Sequence, residues 1–155
     1  MREPLWSRRP PPAPDPDGAL LGHWQPTSPR DITASRQQLA AALHGTARPP
    51  DAREGAVERL LLAFEELASN GLRHGRQPVE VTVTTVGDGW LLQVADTAID
   101  TPPTPAVGRD PAHGGLGLHM VARITAAHGW TIDGTGRKVV WAHGLFTREE
   151  APSTW

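Results

Sequence analysis

Glu65-Glu66-Leu67-Ala68-Ser69-Asn70-Gly71-Leu72-Arg73-His74 closes the strongest helical segment of the chain, residues 52–74. Val57, Leu60, Leu61, Phe64, Leu67, Ala68 and Leu72 recur at helical spacing and predict its apolar face, and Gly75 follows as a stop. Inside that stretch Glu66, Asn70 and His74 stand at i, i+4 and i+8. A helix of 3.6 residues per turn puts them on one stripe: a carboxylate, an amide and an imidazole in a row. An amide oxygen beside a carboxylate suits a hard cation such as Mg²⁺ that also carries phosphate ligands. Arg73, one residue aside, can reach a phosphate oxygen. Taken alone, the same spacing is also that of an ordinary solvated helix face.

Outward from this helix the pattern changes to period two. Val79, Val81 and Val83 alternate with Glu80, Thr82 and Thr84; Gly87-Asp88-Gly89 turns the chain, and residues 90–95 run back as the second strand of a hairpin. Upstream, residues 19–24 read as an edge strand. Residues 32–45 read as a helix carrying Ile32, Leu39, Ala42 and Leu43 and closed by Gly45, and residues 46–52 as a linker with Pro49-Pro50. Downstream, residues 96–113 hold four prolines without helical periodicity and form a long loop, a feature that in a compact domain is usually either functional or disordered. Residues 114–128 read as a helix with Leu116, Met120, Val121 and Ile124 inward. A second hairpin follows around Gly134-Thr135-Gly136. Helices packed on one face of a mixed, mostly antiparallel sheet make an α+β two-layer sandwich.

The 155 residues suit one domain, and a domain of that size buries roughly 70% of its unfolded surface. We expect that domain over residues 19–146, preceded by a disordered proline-rich arm over residues 1–18 and followed by a flexible tail over residues 147–155. The arm contains PxxP spacings such as Pro11 and Pro14. Fifteen Lys+Arg against 17 Asp+Glu leave a net charge of −2, which argues against a broad surface for nucleic acid. The absence of Cys excludes disulfides, thiolate nucleophiles and cysteine zinc sites. No apolar run approaches the ~20 residues of a membrane span, and no signal peptide is evident, so no membrane partner and a cytoplasmic location are expected. The sole lysine, Lys138, reads with the abundant Ala, Gly and Pro as genome composition rather than function.

Two further motifs carry chemistry. Gly114-Gly115-Leu116-Gly117-Leu118 follows the long loop and opens a helix. Glycines let the backbone approach a ligand, and the free N–H groups of a first helical turn bind phosphate. Neither a Walker A loop nor a dinucleotide fingerprint fits the surrounding residues. Asp96, at the end of a strand and the mouth of the loop, can accept a hydrogen bond from an exocyclic amine such as adenine offers; a turn-initiating Asp has the same sequence appearance.

The order of these parts is specific: a helix with Glu66 and Asn70, a hairpin ending in Asp96, a long lid, then Gly-Gly-Leu-Gly-Leu at a helix start. In this order the sequence resembles the GHKL, or histidine kinase-like, ATP-binding fold (the Bergerat fold) over roughly residues 31–146. Within it, residues 64–75, residues 114–121 and the closing strands resemble the small anti-sigma-factor serine/threonine kinases, single-domain ATP-binding regulators. The resemblance implies ATP and Mg²⁺ as cofactors. It implies Asn70 as the Mg²⁺ ligand, Glu66 as general base and Arg73 and His74 near the phosphates. It further implies Asp96 and Ala98 beside the adenine, and Gly114, Gly115, Leu116, Gly117 and Leu118 around the phosphates. It implies a protein partner, a sigma factor or an anti-sigma antagonist, and admits a homodimer.

The chain departs from the family pattern at the base. The usual Asp-x-Gly-x-Gly reads Asp96-Thr97-Ala98-Ile99-Asp100, and Val139 falls near the place of a supporting Thr. Loss of one such hydrogen bond costs about 0.5–1.5 kcal/mol, so weak ATP binding is expected. Two other readings stay open: a non-catalytic nucleotide- or partner-binding module, and a detached histidine-kinase catalytic domain.

Overall fold

The computed structural model describes residues 5–104 and 116–147. The elements run β1 (Leu20–Trp24), α1 (Pro29–Leu43), α2 (Glu54–His74), β2 (Glu80–Val86), β3 (Gly89–Asp96), α3 (Leu116–Ile124), β4 (Ala127–Ile132) and β5 (Lys138–Leu145). The strands form one sheet in the order β1-β2-β3-β5-β4. Every pairing within it is antiparallel, so the sheet is not mixed. The α+β two-layer architecture is the one the sequence predicts.

Local chemistry sets the boundaries. α1 starts at Pro29, earlier than apolar spacing alone indicates, because Ser28 caps it: its Oγ accepts from the Asp31 N–H at 3.3 Å, with proline in the first turn. α3 ends at Ile124 rather than near His128, because Ala127 already pairs with His143 of β5. α2 buries Val57, Leu60, Leu61, Phe64, Leu67, Ala68 and Gly71, a stripe repeating every three to four residues. It lies centrally, against α1 and α3 on its flanks and β3 and β5 beneath. Leu92 and Val94 of β3 and Val140 and Ala142 of β5 meet that stripe. Side chains alternate along a strand, so Asp96 and its cross-strand partner Lys138 end the same helix-facing row.

The arm over residues 1–18 is not disordered where it is described. Trp6 is only 2% exposed, and its Nε1 donates to the Leu118 carbonyl of α3 at 3.2 Å. The Arg9 N–H donates to the Trp130 carbonyl at 2.9 Å and the Trp130 N–H to the Ser7 carbonyl at 3.3 Å. The arm thus makes a short parallel bridge on the outer edge of β4. Trp141 Nε1 donates to the Arg9 carbonyl at 2.9 Å. Further on, Asp15 Oδ2 accepts from the Gly87 N–H at 2.9 Å in the β2–β3 turn. The arm is therefore pinned at the β4 edge and again at the β2–β3 turn, on its way into β1. Proline excludes helix and central strand but not an extended segment whose flanking residues supply the anchors. Of the tail over residues 147–155, all but Thr147 lies outside the described residues.

Candidate functional site

α2 presents Glu66, Asn70 and His74 on one stripe, as its periodicity requires. Asn70 and His74 line a cavity of about 140 Å³, closed by residues 101–104 from the start of the long loop and by Lys138. Arg73 is exposed and does not line this cavity. Glu66 lies further up the helix, against the first turn of α3. A Cβ on Gly117 would overlap Glu66 Oε2, so glycine at 117 is what lets α3 start this close to the carboxylate. Glu66 is half-buried. Burial pushes its carboxyl above the ordinary glutamate value, with help from the adjacent Glu65 charge and against the pull of Arg73.

Asp96 ends β3 with 1% exposure. Its Oδ1 accepts from the Ala98 N–H at 2.7 Å and from the Arg76 N–H at 3.5 Å. Ala98 is itself buried, so its backbone supports the carboxylate although it replaces the expected glycine. Asp96 Oδ2 lies 3.4 Å from Lys138 Nζ. That ammonium also donates to the Thr101 carbonyl at 2.7 Å. Gly75 packs so tightly below that a Cβ there would collide with Asp96 Oδ2 and the Gly71 carbonyl. The register puts Lys138, not Val139, opposite Asp96; Val139 pairs with Ala95 and points to the other face. The feature beside Asp96 is thus a buried cation rather than a missing hydroxyl. Beside it, Arg137 donates to Glu80 Oε2 at 2.6 Å and to the Pro78 carbonyl at 2.8 Å, joining the start of β5 to the start of β2.

The structure therefore brings together Asn70, His74, Lys138 and, beneath the lysine, Asp96 with Ala98. It sets Glu66 apart, against Gly117. Leu118 is buried in the core, and its carbonyl is taken by Trp6. Gly114 and Gly115 lie outside the described residues, as does the side chain of Leu116. Sequence reasoning missed Lys138 as a site residue. No local signal points to it: the second hairpin sets Lys138 across from Ile132, and its place opposite Asp96 comes from the long-range register of β3 on β5. Among the described residues no group of three or more His, Asp or Glu is arranged to hold a metal ion, and no helix is long and apolar enough to cross a membrane.

A family model described as histidine kinase-like ATPase domain matches residues 26–142, which span every functional element above. No curated protein sequence matches the chain.

Proposed function

The chain belongs to the histidine kinase-like ATPase domain family, and from that premise we propose that it is a regulatory ATP-dependent serine/threonine kinase of the anti-sigma-factor type. In this reading it transfers phosphate to a protein antagonist, or holds a sigma factor in a nucleotide-dependent way. The observation that carries the reading is the α2 stripe: Asn70 in the cavity wall and the half-buried Glu66 facing the start of α3.

The residues fit such a ligand. The cavity offers the Asn70 amide and the His74 imidazole, and the glycine at 117 lets the start of α3 come up against the Glu66 carboxylate. ATP with Mg²⁺ would supply the transferable phosphoryl group and neutralise its charge. Asn70 would hold the cation through its amide oxygen, with the remaining ligands from phosphate and water, since among the described residues no cluster of carboxylates or imidazoles is arranged to hold a metal ion. Arg73, exposed at the end of α2, would pair with phosphate oxygens. Glu66 would orient a partner's hydroxyl and accept its proton; a carboxyl raised above its ordinary range is better matched to that task near neutral pH.

Calorimetric titration with Mg·ATP tests the site. Wild-type protein is expected to bind saturably, with Asn70→Ala at least about tenfold weaker, the value of one charge-assisted contact. No saturation at millimolar Mg·ATP would overturn the reading. A second reading, a partner-binding module without phosphotransfer, draws support from the Asp96 carboxylate being engaged by protein groups. Nucleotide-dependent partner binding without label transfer from γ-labelled ATP would favour it. Acid-labile phosphate on the partner would point instead to a histidine-kinase catalytic domain.

A further inference from the structure

The base-recognising end of this cavity already contains a donor. A carboxylate offers about four acceptor positions. At Asp96, Oδ1 takes the Ala98 and Arg76 N–H groups, and Oδ2 is flanked by the Gly75 backbone on one side and by Lys138 Nζ on the other. Lys138 lines the cavity and Asp96 does not. The way from the cavity to Oδ2 therefore runs through the ammonium.

We infer that Lys138 governs base recognition: its ammonium occupies the place of a ligand amine on Asp96, and an adenine nucleotide engages Asp96 only by displacing it. The inference rests on the nucleotide reading of the site. An ammonium and an exocyclic amine are both hydrogen-bond donors, so they compete for one acceptor. The ammonium gives up two contacts when it leaves, one to Asp96 and one to the Thr101 carbonyl. Thr101 belongs to the loop segment that walls the cavity, so admission of the base and release of that segment are one event. A purine with a carbonyl at position 6 brings an acceptor there instead. It can take a hydrogen bond from the ammonium where it stands, and leaves the pair intact.

The single lysine makes the test direct. Full-length protein carrying ¹³Cε-lysine gives one side-chain signal. Saturating Mg·ATP is expected to move that signal to the position of a solvated lysine, and saturating Mg·GTP, which leaves the ammonium on Asp96, to move it less and not to that position. In parallel titrations Lys138→Met is expected to bind Mg·ATP at least about tenfold more tightly than wild type, with Mg·GTP showing no gain. The double variant Asp96→Asn, Lys138→Met should lose the gain. A lysine signal that does not reach the solvated position while Mg·ATP binds overturns the inference and leaves the nucleotide site standing. So does Mg·ATP affinity in Lys138→Met equal to or below wild type. If Lys138→Met does not fold with Asp96 left uncompensated, the wild-type signal decides by itself. Absence of binding by either nucleotide overturns the site reading, and this inference with it.

Discussion

Glu66 and Lys138 show how much position changes a side chain's chemistry. Both are charged residues on a helix or strand of unremarkable composition. Glu66 is lifted by burial against α3, so its charged form carries a cost in the folded protein. With the folded pKa above the unfolded one, its favourable contribution is complete below the ordinary glutamate value of 4.5 and is lost as pH rises through the folded value. The carboxylate is thus retained at neutral pH at some expense of stability, as expected for a group kept for chemistry. Glu66→Gln removes the proton acceptor and the buried charge together. Phosphoryl transfer to a partner is expected to fall by about 10²–10⁴-fold, with Mg·ATP affinity and thermal stability undiminished. Filter assays with γ-labelled ATP beside calorimetry check this, and transfer at the wild-type rate would remove Glu66 from the mechanism.

Among the elements, the arm differs most from its expectation. Its prolines carry no helical or ladder information, yet Trp6 beside them is buried between α3 and β4. Trp6 meets the His128 ring at a centroid distance of 4.7 Å. His128 Nε2 donates to the Leu5 carbonyl at 3.0 Å, and the Arg9 side chain donates to the His128 carbonyl at 3.1 Å. Burial holds the His128 pKa below its ordinary 6.5, with the nearby Arg9 charge acting the same way and the bond to Leu5 opposing. A depressed pKa means stability that is present above the unfolded value and lost as pH falls through the folded one. Arm docking is therefore expected to weaken below about pH 6.5. Hydrogen exchange at the Arg9 amide, bonded to Trp130 in the docked arm, reads this directly. Protection there should drop on acidification in wild type and vary little in His128→Gln; equal pH dependence in both would assign the effect elsewhere. Leu118 ties the same arm to the helix that follows the long loop.

For the whole molecule, α2 is the element on which the candidate site and the core depend together. One stripe of it meets the sheet, and another carries Glu66, Asn70 and His74. A ligand that binds the folded state alone stabilises it by mass action, about 2.7 kcal/mol at a hundred times Kd. For a domain of this size that is a rise in Tm of roughly 5–10 °C. Differential scanning fluorimetry with Mg·ATP should show it for wild type and a much smaller rise for Asn70→Ala at the same concentration. Equal rises would place the nucleotide away from α2.

The sequence by itself determined the helices, both hairpins and the α2 stripe, because each rests on a local period of 3.6 or 2 that a few neighbouring residues express. It also determined the family, because the order of Glu66, Asn70, Asp96 and Gly117 along the chain is one-dimensional information. Only the tertiary structure decided that Lys138 rather than Val139 faces Asp96, since a shift of one residue in strand register exchanges the two faces of β5. It alone docked Trp6 on Leu118, a contact across 112 residues that no local pattern encodes. Local periodicity fixes which way a side chain points along its own element; what it meets there depends on how distant elements pack.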